Sequence, residues 1–390
     1  PNLKGVCALF DIEILESILK FPQRSILIIK ANYAQLSELI TSFGLIAEIR
    51  KTEELNSFWL NQNITENNDW IEEALNLVDF TKTNNFISIL DSGINNGHRL
   101  IEPILDEVNR LTVEPGWGVN DSMGHGTSMA GIAIYGNLNA ILENKKPLEI
   151  HHQIESVKIL HPNLPNEQNK YPLITSEAVN RAIINNPNAK RIFCMAVTTD
   201  FQVDFGKPSA YSSVLDSIIF GEDINDKKIF LVSAGNVRGE HNWKNYPVSN
   251  LNLSVESPAQ SWNAISIGAY TEKILPDAAT VANKFELSPF STTSSSWDSN
   301  WPIKPEVVFE GGNLIRLENG DVEGHYDLEV LTTSRNSIRH HFTTMNATSA
   351  ATAFAAYFLA KLRDSYPNAW VETLRALMIH SASWSEEMIA

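Results

Sequence analysis

Three side chains that together can attack a carbonyl sit in separate, chemically distinctive neighbourhoods of this 390-residue sequence: Asp91, His125 and Ser349. A serine hydroxyl is a poor nucleophile at its own pKa, so it needs a base within hydrogen-bond reach and a third group to orient that base. Asp91 closes the run Phe86-Ile87-Ser88-Ile89-Leu90 and is followed by Ser92-Gly93, which predicts a buried strand delivering a carboxylate at its carboxyl end. His125 lies in Gly124-His125-Gly126-Thr127-Ser128-Met129-Ala130-Gly131, where small residues let a helix start pack tightly around an imidazole. Ser349 lies in Asn346-Ala347-Thr348-Ser349-Ala350-Ala351-Thr352-Ala353, at the head of an alanine-rich apolar helix whose positive dipole end favours a developing oxyanion. Orienter, base and nucleophile are all supplied. Each also has a plainer reading: a strand-end turn former, a satisfied core histidine and a helix N-cap.

The order Asp, His, Ser departs from the chymotrypsin-like and α/β-hydrolase orders. With the motifs around it, the chain from about Asn85 to about Trp384 resembles the subtilase family of serine endopeptidases. Leu231-Val232-Ser233-Ala234-Gly235-Asn236 is similar to the strand and turn that carry the family's oxyanion-hole asparagine. Ser257-Pro258-Ala259 leading to Asn263-Ala264-Ile265-Ser266-Ile267-Gly268-Ala269 is similar to part of the specificity pocket, and Pro289-Phe290-Ser291 and Lys304-Pro305-Glu306-Val307-Val308 resemble the next two landmarks. The resemblance implies hydrolysis of a polypeptide substrate through an acyl-enzyme on Ser349. The Asn236 side-chain NH₂ and the Ser349 backbone N–H would be the donors to the oxyanion. Ala196, Val197 and Thr198 occupy the place of the edge to which substrate adds as an extra strand, and Ser233, Ala234 and Gly235 complete the expected substrate-binding set. No cofactor and no metal is called for.

Three departures from the family pattern matter. Ala347 stands where glycine is usual two residues before the nucleophile, and if that position needs positive φ the methyl costs on the order of 1 kcal/mol. Ala353 replaces a common proline, with little loss. Bulk at Val197 and Thr198 narrows the first specificity pocket. Together with a separate amino-terminal segment, Ala347 and the narrowed edge at Val197 and Thr198 predict a peptidase restrained until a partner or signal repositions its site. The alternative is a subtilase-fold binding or scaffold protein without cleavage.

The elements that must position these residues are those of an α/β protein. From Asn85 onward apolar runs alternate with helical patterns, as in a doubly wound parallel sheet. Residues 154–160, 191–197, 228–233 and 264–269 suit central strands, with helices over 176–185 and 213–220 between them. Ligands of such sheets bind beyond the carboxyl ends of the strands, where Asp91 and Asn236 fall. Residues 314–339 predict an irregular loop or hairpin, and 370–379 a final helix. Residues 1–51 predict a small β-α-β-α-β domain that resembles the propeptide-like domain of many subtilases: strands over 5–10, 25–30 and 45–50, helices over 11–20 and 32–43. Residues 52–84 are expected to be a polar connector with one helix, and 85–390 the catalytic domain.

Composition sets the limits. A net charge of −16 argues against nucleic acid and anionic membranes as partners. No run of about 18 apolar residues exists to span a membrane. Two distant cysteines, Cys7 and Cys194, read as reduced thiols and favour the cytoplasm, although the sequence opens at Pro1 without a leader, which leaves room for a missing upstream piece and for secretion. With few cysteines and no obvious calcium loops, the chain also resembles bacterial cytoplasmic subtilases, which implies a partner ATPase or regulatory protein; the chain has no ATPase motif of its own. His98 matches a structural landmark of the family. The adjacent pairs His151-His152 and His340-His341 are not expected to bind metal, because sequence neighbours on a strand point apart. Asn346-Ala347-Thr348 fits the N-glycosylation pattern only by chance.

Overall fold

A strand apolar at consecutive positions is stable only when both faces of its sheet are covered, and every residue from Phe86 to Asp91 is buried. The computed structural model describes residues 3–20, 25–47, 49, 55–143, 147–163, 167–199, 205–221, 226–276 and 278–389. They fall into two units, Pro1–Glu53 and Glu54–Ala390.

The second unit is built on a seven-stranded sheet. Its strands are β1 (Asn85–Asp91), β2 (Arg110–Thr112), β3 (Gln153–Lys158), β4 (Lys190–Met195), β5 (Ile229–Ser233), β6 (Ile265–Tyr270) and β7 (Val307–Glu310). Their order is β7-β6-β5-β4-β1-β3-β2, and every pairing is parallel. The strand order reverses around β1, which lies between β3 and β4, so the crevice at its carboxyl end is where such a sheet binds ligand. Alternation along the strands sorts side chains to two faces. Ile87, Ile89, Ile192 and Cys194 join one cluster with helices α1 (His125–Tyr135) and α4 (Ala347–Ser365). Leu90, Phe193 and Met195 join the other with α2 (Tyr171–Asn185) and α3 (Ala210–Phe220). The small residues of α4 let it lie close to the sheet: Ala350, Ala351, Ala353, Ala355 and Ala356 are fully buried, and Cys194 Sγ lies 3.7 Å from Thr352 O. Ahead of α4 runs an antiparallel hairpin of β8 (Val330–Thr333) and β9 (Phe342–Met345). Leu314–Arg316 and Val322–Gly324 form another, so of the loop or hairpin expected over 314–339 the hairpin is what forms. The last long helix spans Val371–Ser381.

Two expectations need correction. The amino-terminal unit is not β-α-β-α-β: residues Leu3–Leu9 are a helix, Glu13–Lys20 and Ser25–Lys30 an antiparallel pair, and Tyr33–Ser42 a helix. Leu3, Val6, Cys7 and Phe10 share one packed cluster at helical spacing, while Glu13–Lys20 is drawn into a strand by its pairing partner, which local propensity cannot reveal. Asn32 caps the last helix, its Oδ1 accepting from Gln35 N at 3.0 Å. Of the third strand expected over 45–50, residues 45–47 and 49 are turn or irregular, and Glu48 and Arg50 lie outside the described residues. Nor do residues 55–84 form a polar connector with one helix; 52–54 lie outside the described residues. Helices Asn56–Asn61 and Ile64–Leu75 belong to the second unit, and Trp59 and Ile71 are fully buried in its core. Among the described residues no helix is long and apolar enough to cross a membrane.

Candidate active site

At the end of β1 the Asp91 carboxylate is buried, and both its oxygens face His125 Nδ1, at 2.9 and 2.8 Å. A carboxylate can only accept, so Nδ1 carries the hydrogen and Nε2 the lone pair, which is the tautomer a general base needs. Asp91 Oδ1 also accepts from Ser92 N at 2.7 Å. Burial of the imidazole acts to lower its pKa, yet the charge and hydrogen bond of Asp91, and more weakly the charge of Asp121, raise it above the ordinary 6.5. Helix α1 begins at His125, and its first turn lies against the chain leaving β1. A Cβ on Gly126 would stand 2.1 Å from Gly93 O, so only glycine permits this approach.

Asp121 organises this corner, and sequence reading missed it. Its Oδ1 accepts from Ser92 Oγ at 2.8 Å, Met123 N at 2.9 Å and Gly124 N at 2.7 Å, and its Oδ2 from Thr127 N at 2.9 Å and Thr127 Oγ1 at 2.6 Å. One buried carboxylate thus ties the residue after Asp91 to both sides of His125. The available signal was an acidic residue just before the Gly-His pair, in the place where a helix start takes a carboxylate. Lys158 closes the same loop from below, donating to Asn120 O at 2.7 Å.

Ser349 lies in the first turn of α4, largely buried, with its N–H among the four that an α-helix leaves unpaired. Among the described residues it makes no hydrogen bond to His125. Ala347 has φ 65°, the left-handed conformation its glycine-like place called for, at a cost of ~1–2 kcal/mol for a residue with a side chain. Its N–H donates to Gly311 O at 2.6 Å, and a Cβ on Gly311 would stand 2.4 Å from that of Ala269, so the start of α4 is wedged against the ends of β6 and β7. Asn236 follows β5. Its Oδ1 accepts from Thr348 N at 3.1 Å and Thr348 Oγ1 at 2.7 Å, which fixes the amide orientation and leaves the NH₂ as the free end.

His125, Asn236 and Ser349 all line one cavity of about 570 Å³. Its other walls include Glu329, Arg335 and Met345, residues no motif pointed to. The expected substrate edge lies elsewhere. Ala196, Val197 and Thr198 are half-buried beyond the end of β4, and Thr198 Oγ1 donates at 2.5 Å to Glu256, a fully buried carboxylate paired with Arg238. Ser233, Ala234 and Gly235 are buried, since the strand end that carries them packs beneath the cleft, so Ser233 and Ala234 offer no side-chain surface to a substrate in this conformation. His98 is buried away from the cavity with Nε2 on His341 O at 2.8 Å, and burial holds its pKa down to about 4. Among the described residues no group of three His, Cys, Asp or Glu side chains is placed to hold a metal ion.

This is the architecture of a subtilase, and the subtilase family model matches residues 82–389: the chain belongs to that family, whose fold and members are those of serine proteases. Among solved structures it is similar to Sphericase, at 16% identity and TM-score 0.52 over 78% of this chain and 84% of that one. It is similar to the S41 psychrophilic protease, at 18% identity and TM-score 0.50 over 77% of this chain and 84% of that one. The epidermin leader peptide processing serine protease of Staphylococcus aureus matches at 15% identity and TM-score 0.50, over 96% of this chain and 89% of that one. These likenesses are of fold. A curated relative, the uncharacterized protein y4bN of Sinorhizobium fredii, is 27% identical over 229 residues, which are 53% of this chain and 51% of that protein; the chain spans about half its length.

Proposed function

We propose that the protein is a serine endopeptidase that cleaves polypeptides through an acyl-enzyme on Ser349. The observation that carries this reading is the double contact of His125 Nδ1 with Asp91, on a histidine that shares its cavity with Ser349 and Asn236. His125 takes the proton from Ser349 Oγ as the hydroxyl attacks the carbonyl carbon, and returns it to the departing amine. Water then repeats the cycle to release the acyl fragment. The free Asn236 NH₂ and the Ser349 N–H are the donors for the oxyanion, and substrate backbone pairs along 196–198. The reading includes restraint. Its supports are the missing hydrogen bond between His125 and Ser349 and the positive φ of Ala347. A partner ATPase or other regulator, and action in the cytoplasm, belong to the same proposal, in keeping with two free buried thiols.

The test is labelling of the whole chain with a serine-directed phosphonate, read by mass, beside hydrolysis of an unstructured casein substrate. An adduct on Ser349, absent from Ser349→Ala, with slow casein turnover is the expected result. Turnover on the order of 10 s⁻¹ would remove the restraint, and absence of both adduct and turnover would favour the scaffold reading.

A further inference from the structure

Glu329 lines the cavity beside Ser349 without an ion-pair partner among the described residues. Its side chain is aimed by two neighbours: Oε2 accepts from Thr344 Oγ1 at 2.5 Å and Oε1 from Asn346 Nδ2 at 2.8 Å. Thr344 is on β9, and Asn346 stands at the head of α4, just before the turn that carries Ser349. Its backbone is held as well, Glu329 O accepting from Asn56 Nδ2 at 2.9 Å. Each carboxylate oxygen keeps further lone pairs for a guest.

The side of the cleft follows from the chemistry. The base that takes the serine proton must hand it to the departing amine, so the departing fragment lies on the histidine side of the nucleophile. The cavity has His125 and Ser349 in its walls and none of residues 196–198, where the acyl fragment would pair. It is therefore the berth of the departing fragment. Arg335 lines it too, but is tethered elsewhere, its Nη1 donating to Ser122 O in the loop before His125, and it forms no ion pair with Glu329.

We infer that Glu329 determines specificity on the departing side, accepting a lysine or arginine side chain within the first two residues after the scissile bond. The inference rests on the peptidase reading. A half-buried carboxylate loses hydration as a peptide fills the cavity, and a cation restores what is lost while an acidic residue adds like-charge repulsion. The cavity, about 570 Å³, has room for a long side chain, and Met345 in its wall is an apolar surface for the methylene stem.

The experiment uses the whole chain and quenched peptides that share one acyl side and carry Lys, Gln or Glu at the two positions after the cleaved bond. Phosphonate labelling, which involves no departing peptide, runs beside it. The expected kcat/KM for the Lys peptide exceeds that for the Glu peptide by about fivefold or more, the scale of a partly exposed charge pair. That ratio falls toward one in Glu329→Gln, inverts in Glu329→Lys, and shrinks between about 0.05 and about 0.5 M NaCl. Labelling with equal Lys and Glu rates, or a Lys preference kept by Glu329→Gln, overturns the inference and leaves the peptidase standing. A Glu preference overturns it in favour of Arg335. Neither labelling nor cleavage overturns both.

Discussion

His125 reaches the cavity on a scaffold of side-chain hydrogen bonds, whereas Ser349 reaches it almost wholly on backbone geometry. Around the histidine, Asp91 fixes the ring and Asp121 binds both flanks of the loop that delivers it. Around the serine, the turn is set by Ala347 at φ 65°, by its N–H on Gly311 O and by the grip of Asn236 on Thr348. The Ser349 hydroxyl makes no hydrogen bond to His125 or Asp91. The contrast has a physical sense. A base must hold one tautomer and one direction throughout the reaction, which charged hydrogen bonds enforce. A nucleophile must move toward carbon, and a hydroxyl on a short side chain is best placed by the helix beneath it.

The largest break in this contrast comes from Asp91→Asn, which keeps the shape and removes the charge. Turnover should fall by roughly 10⁴-fold, as the wrong tautomer becomes available. In the proposed mechanism His125 must be neutral to act, and its raised pKa would put the acid limb of kcat/KM above the ordinary 6.5. The substitution should move that limb to lower pH, and a pH–rate profile decides it. The same shift has a stability sign: the charged pair adds stability below the unfolded-state pKa, and that part is lost as pH rises through the folded value.

Next is Asn236→Ala, for which kcat should drop by roughly 100- to 1,000-fold with KM little changed, because the freed NH₂ would act mainly on the transition state. A rise in KM at constant kcat would make Asn236 a substrate-positioning residue. Asp121→Ala attacks the scaffold rather than the chemistry. Five donors lose their acceptor, so urea unfolding should show a loss of at least ~3 kcal/mol. Turnover should fall by roughly 100-fold as His125 drifts from its direction. If stability falls and turnover does not, His125 is held by Asp91 alone.

The smallest effect tests the other wall. Ala347→Gly removes the left-handed penalty but adds unfolded-chain entropy, so stability should change by less than about 1 kcal/mol. Casein turnover should rise if the strained turn holds the nucleophile back. A fall in turnover would mean that the methyl, on a residue packed against the cluster that holds Val281, Phe290, Leu314 and Val322, is what aligns Ser349.

Local pattern in the chain specifies the elements that are strongly periodic: the apolar strands β1, β3, β4, β5 and β6, the helix after Ser349, and the motifs that set Asp91, His125, Asn236 and Ser349 at element ends. Ala347 was legible too, because only a positive φ makes a missing glycine matter. The amino-terminal unit was not, since Leu3–Leu9 and Glu13–Lys20 are short apolar segments whose state depends on what they pair with. The stretch around Trp59 and Ile71 looked like a polar connector because a few buried side chains are a weak signal among charged ones. Asp121 needed its partners in space, Ser92 and Thr127, before its role could be seen. Glu329 looked like any loop acid until β8 and β9 folded back and brought it to Asn346 and into the cavity that Ser349 lines. Periodicity records which face of an element is buried. Which polar groups meet across elements is decided by the closure of the chain in three dimensions, and no local pattern carries that information.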